Sequence, residues 1–431
     1  MKKINTSPLS GMQELLPAEQ AVFNKLKKSI EDVYRHHGFM NIETPIIDRT
    51  EILFSKAGGD TEKQIYKVIK TDESADDADQ ALRFDHTVPL ARYVVQHEND
   101  LTFPFHVTQI GRNFRGERAQ KGRFREFYQC DVDIIGRGEL PVAYDAKVIA
   151  AVYEALKTFD LPEMQIRISN RKILTNFIEI LGLSDKATAI FNIIDHAEKI
   201  PPEQTTQALY DLGIPEDNVV KITTFINTHG TPDDVEASLQ SIIDDIDNFQ
   251  EGLSELRTVY ELLKQSGLGR QATIDFMIVR GLDYYNSTVV EIFLPEYRAI
   301  GSIAGGGRYD NLANNFTDQK LPGVGVSIGL TRLFYILNQH ELLRTNSEKP
   351  IDVAIIPITD NEHTFALDLA NKLRTKDKSV DVVLTDKKLG DKLTYASHIA
   401  KNAIIIGENE VNSGTIEIKD LETGTTSPLV I

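Results

Sequence analysis

Apolar side chains recur along this chain with two different periods, and a third pattern has no period at all. Over residues 18–37, Val22, Phe23, Leu26, Ile30, Val33 and Tyr34 fall on one stripe of a helix, and Gly38 suits its end. His36 and His37 close that helix, where positive charge favours the dipole; a metal site is the competing use for such a pair. Residues 40–43 then read as a strand stopped at Pro45. Between 64 and 84 two short apolar segments flank "TDESADDADQ", an acidic run that suits the exposed tip of a hairpin. Thr87-Val88-Pro89 predicts a helix start with Thr87 as its cap.

Residues 124–136 give the clearest alternation. Tyr128, Cys130, Val132 and Ile134 interleave with Phe127, Gln129, Asp131 and Asp133. A period of two means a strand with one apolar face for a core and one mostly polar face. The polar face fits either the floor of a cleft or a surface turned to water. From about 171 to 262 the chain becomes helix-rich, with polar turns at "IPPEQ", "GIPEDN" and "HGTPDD" and no evident catalytic cluster. Strand patterns return with "TIDFMIV" and "STVVEIFL", a helical "SIGLTRLFYILNQ" follows, and "RTNSEKP" reads as a linker.

Beyond Pro350 the runs "DVAIIPI", "VDVVLTD" and "NAIIIG" are continuously apolar, as strands of a buried parallel sheet require. The patterns therefore predict an α+β body on an antiparallel sheet, occupying 1–170 and 263–340. A helical insertion at 171–262 interrupts it, and a C-terminal α/β domain fills 350–431.

Composition narrows the class. The chain has 431 residues, 41% of them hydrophobic and 26% charged, enough for several globular domains. One cysteine, Cys130, leaves no disulfide framework and no cysteine metal cluster, which fits a reducing cytoplasmic setting. The start of the chain lacks the apolar run of a signal peptide, and no window has membrane-spanning length, so no membrane partner is expected. A formal net charge of −17 argues against a protein that coats nucleic acid indiscriminately. Against that background residues 112–125 stand apart. Arg112, Arg115, Arg118, Lys121, Arg123 and Arg125 face one acid, Glu117, so an anionic partner is expected there.

The anion is not held by a P-loop, since no GxxxxGK[ST] occurs. "AGGGRYD" does not match GxGxxG either. Its glycines Gly305, Gly306 and Gly307 either let a ligand touch backbone or form a bulge or turn. What remains for a polyanion is arginine, whose planar fork matches phosphate oxygens. Four separated segments offer Arg115, Arg123, Arg280 and Arg332.

Those segments carry a resemblance. "GFMNIETPIID", "FRGERAQKGRFREFYQCDVDIIG" and "GVGVSIGLTRLF" resemble motifs 1, 2 and 3 of the class II aminoacyl-tRNA synthetases. "VRGLDYYNSTVVE" and "AGGGRYDNL" resemble the two signature motifs of the histidyl branch of that class. "KLGDKLTYASHIAKNAIIIGENEVNSGTIEIKD" is similar to that branch's anticodon-binding domain. The resemblance implies ATP, with Mg²⁺ on its outer phosphates, L-histidine and tRNA(His) as partners, and a homodimer built through motif 1. It implies that Arg115 and Arg280 are catalytic, holding the α-phosphate from two sides. Glu117, Arg123, Phe127 and Arg332 would join Arg115 around ATP. Asp85, Thr87, Gln129, Asp133, Tyr284, Tyr285 and Tyr309 would join Arg115 and Arg280 around histidine. The pattern departs from the family at Thr331, where motif 3 usually has Glu before its arginine.

Two rival functions share parts of this sequence. A regulatory subunit of ATP phosphoribosyltransferase would sense histidine without charging tRNA, and would lack the C-terminal domain and have eroded signatures. An RNA-binding module without catalysis would not need four dispersed arginines. Histidine-dependent pyrophosphate exchange separates the three.

Overall fold

The computed structural model describes residues 4–55, 62–72, 74, 78–119, 122–243, 245–279, 284–343 and 349–429. The chain divides into two compact units, Met1–Glu14 with Leu26–Leu342, and Leu15–Lys25 with Leu343–Ile431. The helix predicted at 18–37 spans Pro17–His36, and its early residues group with the second unit.

Among the described residues the first unit holds twelve strands. In chain order they are β1 (Met40–Asn41), β2 (Ile47–Arg49), β3 (Lys67–Val68), β4 (Gln80–Leu82), β5 (Phe105–Phe114) and β6 (Glu126–Ile135). Then come β7 (Gln165–Asn170), β8 (His229–Gly230), β9 (Ala272–Asp275), β10 (Thr288–Phe293), β11 (Ala304–Tyr309) and β12 (Gly323–Ile328). Nine form one sheet in the order β1-β5-β6-β12-β11-β10-β7-β9-β8, and β2-β4-β3 form a small second sheet.

The large sheet is mixed where the alternation predicted an antiparallel one. β1 runs parallel to β5, and β7 parallel to β9. A parallel pair needs a crossover connection. Between β7 and β9 the helical stretch supplies it, from Arg171–Ile180 to Gln250–Leu263. That stretch also gives the sheet its edge strand, with His229 of β8 opposite Asp275 of β9.

The centre of the sheet follows the predicted alternation. β5 and β6 pair antiparallel over ten residues each, with Ile110 opposite Cys130 and Asn113 opposite Phe127. The basic stretch lies in the connection between them, closed by Arg115 N–H donating to Arg125 O at 2.9 Å. On one face of β6, Cys130, Val132 and Ile134 are wholly buried. On the other face, Asp131 and Asp133 are also buried, at 4% and 3% exposure, so this face is not turned to water.

The helix Thr87–Gln96 covers one end of that second face. Its Leu90 and Val94 pack with Phe105, Val107 and Ile135, each such burial worth about 1.5–3 kcal/mol. On the opposite side the helix Ala143–Lys157 packs against β6 and β12. The expected hairpin below 84 is present as β3 against β4; of its acidic tip, 73 and 75–77 lie outside the described residues.

The second unit holds β13 (Ile351–Pro357), β14 (Val380–Val382), β15 (Ala400–Ile406), β16 (Glu417–Asp420) and β17 (Thr426–Pro428), ordered β14-β13-β15-β16-β17. β13 is parallel to both its neighbours, and β16 and β17 extend the sheet antiparallel. Val353 and Ile355 pack with Leu369 and Leu373 of the helix His363–Arg374. Ala354 and Ile356 pack with Ala396 of the helix Leu389–Ile399. Covered on both faces, β13 and β15 are apolar along most of their length, at 353–357 and 403–406, which is why their sequence shows no period there. No helix among the described residues is long and apolar enough to cross a membrane.

Candidate active site

The floor of the site is the buried polar face of β6, bearing Phe127, Gln129, Asp131 and Asp133. Room for it comes from β12, where Gly325 stands opposite Asp133. A Cβ on Gly325 would sit 1.9 Å from Asp133 Oδ1, and one on Gly323 would sit 2.3 Å from the Tyr309 ring. Two missing side chains thus admit a carboxylate and a phenol. Tyr309 donates its hydroxyl to Asp133 Oδ1 at 2.7 Å. Burial is the main cause that pushes the Asp133 carboxyl up to about 8, and the nearby Asp131 and Asp85 add to it against the Tyr309 bond.

β11 alternates as a strand should, and its two ends of "RY" part company. Arg308 points to the other face, where it bonds Asp145 Oδ1 at 2.7 Å and the carbonyls of Leu140 and Pro141. Tyr309 faces the site. The glycines before them are regular strand residues, paired to β10 on one side and β12 on the other, with no bulge. Gly306 is required by close backbone approach: its Cβ would lie 2.0 Å from Gly325 O. At Gly307 a Cβ would lie 2.6 Å from Thr288 O and 3.0 Å from Tyr285 Cδ1, while at Gly305 nothing is nearer than 3.5 Å.

One wall is the segment entering the helix Thr87–Gln96. Thr87 is its first residue but makes no capping bond. Asp85 takes that role: its Oδ1 accepts from Val88 N–H at 3.1 Å, because His86 already has helical backbone angles and the cap moves back along the chain. Tyr284 donates to Asp85 Oδ2 at 3.3 Å. Burial raises the Asp85 carboxyl, against the Val88 bond and the charge of Arg115. Tyr284 stands edge-on to Tyr309, ring centroids 6.0 Å apart, and 4.8 Å from Tyr285. Burial raises all three phenols, so they act as neutral hydroxyls.

The basic end opens from this pocket. The Arg115 guanidinium lies between two rings, 4.3 Å from the centre of Phe84 and 5.0 Å from that of Phe127. One face of Phe127 is therefore already covered by Arg115. Arg123 pairs with Glu117 at 3.6 Å, both partly exposed. Arg332 starts the helix Leu330–Gln339 and reaches past Gly122 towards Gly301, whose Cβ would meet its Nη2 at 3.0 Å. Arg280 lies outside the described residues.

Ser327 and Asn113 shape the site without a signal of their own in the sequence, where Thr331 stood out only as a departure from motif 3. Gln129 is held by Ser327, to whose Oγ it donates at 2.7 Å, and by Asn113, which donates to its Oε1 at 2.7 Å. Thr331 Oγ1 accepts from Tyr128 N–H at 2.7 Å. That bond continues the β6 ladder past the last pair, Cys130 with Ile328, so the threonine fastens the start of the arginine-bearing helix to the floor. The glycine spacing of 323 and 325 was the one visible hint, since it marks every second residue of a strand.

Known proteins resemble this chain over nearly its whole length. The family model for histidyl-tRNA synthetase matches residues 11–333, and an anticodon binding domain model matches 352–430. A curated histidine–tRNA ligase of Clostridium tetani is 44% identical over 429 residues, 98% of this chain and 96% of that protein. A solved histidyl-tRNA synthetase of a Nostoc species superposes with a TM-score of 0.87 at 36% identity, over 99% of this chain and 97% of that one. A Bacillus halodurans chain described as an ATP phosphoribosyltransferase regulatory subunit/histidyl-tRNA synthetase shares the fold, with a TM-score of 0.76 at 20% identity over 94% of this chain and 100% of that one. The two signatures, the buried acid–tyrosine pocket and matches spanning both units agree: the chain belongs to the histidyl-tRNA synthetase family.

Proposed function

We propose that the buried face of β6 and its surrounding tyrosines bind L-histidine, and that the arginines beside it bind MgATP, in the histidine–tRNA ligase activity this chain has as a family member. The observation that carries the assignment is the pairing of acids with phenols in one enclosed pocket, Asp133 with Tyr309 and Asp85 with Tyr284, next to Arg115.

Histidine offers an ammonium group, a carboxylate and an imidazole, and the pocket has a counterpart for each. Asp85, Thr87 and Gln129 receive the ammonium group. Asp133, Tyr285 and Tyr309 surround the imidazole, with Tyr284 adjoining. Arg115 takes the carboxylate and the α-phosphate, and Arg280 reaches the α-phosphate from the other side. Glu117 accepts from the adenine amino group, Phe127 offers its free face to the adenine ring, Arg123 meets the outer phosphates with their Mg²⁺, and Arg332 lies against the nucleotide. An imidazole N–H arriving at Asp133 favours its ionised form, so binding draws the proton off that carboxyl. A buried site with unpaired polar groups rejects analogues by roughly 10⁴-fold or more.

The chemistry runs in two steps. The histidine carboxylate oxygen attacks the α-phosphorus of ATP in line, and pyrophosphate leaves. The terminal ribose hydroxyl of tRNA(His) then attacks the adenylate carbonyl, and AMP leaves. Neither step needs a protein nucleophile; positioning and charge stabilisation supply the rate. The partition into a catalytic body at 1–170 and 263–340, an insertion at 171–262 that clamps the tRNA acceptor arm, and an anticodon reader at 350–431 belongs to the same proposal. So do a homodimer built through the segment around Pro45 and a cytoplasmic setting.

The test is exchange of labelled pyrophosphate into ATP. Exchange that requires histidine supports this reading. Histidine binding without exchange favours a regulatory subunit instead, and exchange driven equally by another amino acid rejects the pocket assignment.

A further inference from the structure

Asp131 shares the floor with Gln129 and Asp133, yet the two-step reaction gives it no contact with either substrate. Both its oxygens are committed within the protein. Oδ1 accepts the Ser327 hydroxyl, and Oδ2 lies 3.2 Å from His86 Nδ1. Ser327 has a single hydroxyl hydrogen. Once it is donated to Asp131, the Ser327 oxygen can only accept, and it does so from Gln129 Nε2 at 2.7 Å. Gln129 Oε1 is then turned to Asn113 Nδ2, also at 2.7 Å. An amide can otherwise sit either way round; here the direction of the Ser327 hydrogen decides it.

At the far end of this chain of contacts is His86. It is 1% exposed, and its Nδ1 approaches Asp131 as an ion-dipole or ion-pair contact rather than as a well-directed hydrogen bond. Its Nε2 has no hydrogen-bond partner and lies beside Gly111, where an added Cβ would come within 3.2 Å of it and 2.5 Å of Nη2 of the buried Arg83. Its own carbonyl oxygen accepts from Gln109 Nε2 at 3.3 Å, which fixes the backbone under the ring. A buried imidazole with one nitrogen beside a buried carboxylate and the other without a hydrogen-bond partner is costly unless the contact with the carboxylate matters.

We propose that His86 is a positioning residue for histidine recognition: by holding Asp131 it sets the hydrogen of Ser327, and through it the orientation of the Gln129 amide that receives the substrate ammonium group. The inference rests on the assignment of Gln129 to that group. It makes His86 a determinant of histidine affinity without any contact to histidine, and leaves ATP binding out of its reach, since Arg115, Arg123 and Arg332 are not on this relay.

The experiment is steady-state pyrophosphate exchange on the full chain, with histidine and ATP varied separately. His86→Leu is expected to raise KM for histidine about tenfold, the size expected when a buried carboxylate loses a polar partner, with kcat and the ATP KM within about threefold. His86→Asn, whose amide can donate to Asp131, should recover most of the loss. Ser327→Ala should reproduce it, and the double variant should be no worse than the poorer single one, because both cut the same relay. Equal loss in both KM values, or no rescue by Asn with a lowered Tm in both variants, would reduce His86 to a packing residue and overturn the proposal. An unchanged histidine KM in His86→Leu overturns it as well. Gln129→Ala separates the two claims: an unchanged histidine KM there removes Gln129 from the site and the relay with it. A raised one beside an unaffected His86→Leu removes the relay alone.

Discussion

β6 and β13 are both central strands, each paired on two sides, and they solve burial in opposite ways. β13 is apolar on both faces and meets a helix on each. β6 is apolar on one face and carries two buried carboxylates on the other. In the second unit, among the described residues, the buried charged side chains are Glu362 and Lys392, and the fold itself supplies hydrogen-bond partners to both. Lys392 Nζ donates to Pro357 O at 2.8 Å, and Glu362 closes a capping box with Thr359. Among the described residues Asp133 accepts from the Tyr309 phenol, and burial pushes its carboxyl up to about 8. A buried charge that the fold itself satisfies is architecture. A buried acid left with unused acceptor capacity beside an arginine is a place prepared for a ligand.

The comparison breaks most visibly at the arginines. Arg115→Ala should cut the exchange rate on the order of 10²–10³-fold, because its charge is used most as the α-phosphorus becomes five-coordinate. An Arg115→Ala enzyme with wild-type turnover would move the chemistry away from the β6 floor. Removal of the C-terminal α/β domain at 350–431 sharpens the same contrast. A chain ending near Lys349 that remains folded by circular dichroism should keep histidine-dependent exchange. Its KM for tRNA should rise on the order of 10²-fold, as expected when one of two linked binding surfaces is lost. Efficient charging by the shortened chain would deny the C-terminal domain its tRNA role.

A smaller effect tests the glycines. Gly325→Ala places a methyl group 1.9 Å from Asp133 Oδ1. It should raise the histidine KM about tenfold and lower stability by about 1–3 kcal/mol, the range for overpacking. Gly305→Ala meets nothing nearer than 3.5 Å and should change neither, in thermal melts and exchange assays run side by side.

The smallest effect concerns pH. The Asp133 carboxyl is raised to about 8 in the folded, unliganded protein, against an unfolded value near 4. Between those values the native state binds more protons than the unfolded one, so this group makes stability fall as pH rises from about 4 to 8. Asp133→Asn should therefore flatten the decline of Tm between pH 6 and 9. An equally steep decline in the variant would place the responsible group elsewhere.

Much of the fold was legible because its signals are local. The alternation of β6, the stripe of Pro17–His36 and the unbroken apolar runs of β13 and β15 each sit within a few turns or residues of chain. The sequence left the polar face of β6 open between cleft and surface, and only the packing of the helix Thr87–Gln96 decides it. Thr87 looked like a cap because of its type; the cap moved to Asp85 because of the angles of His86. The parallel pairs of the large sheet, β1 with β5 and β7 with β9, were hidden because the direction of a strand depends on the crossover that precedes it. Ser327 and Thr331 act on β6 from about two hundred residues away, so no local pattern could assign them. Gly305 to Gly307 suggested a bulge or a ligand contact, whereas the demand on Gly306 comes from the neighbouring strand's backbone.

The most direct test of the account is calorimetric titration of L-histidine into the full chain and into Asp133→Asn at pH 7. The account predicts saturable binding to the former and a loss of about 10–10²-fold in the latter, the range for a hydrogen bond to a charged group, with ATP affinity the same in both. Equal histidine affinity in the two proteins would contradict it, because the carboxylate on the floor of β6 would then not be what reads the imidazole.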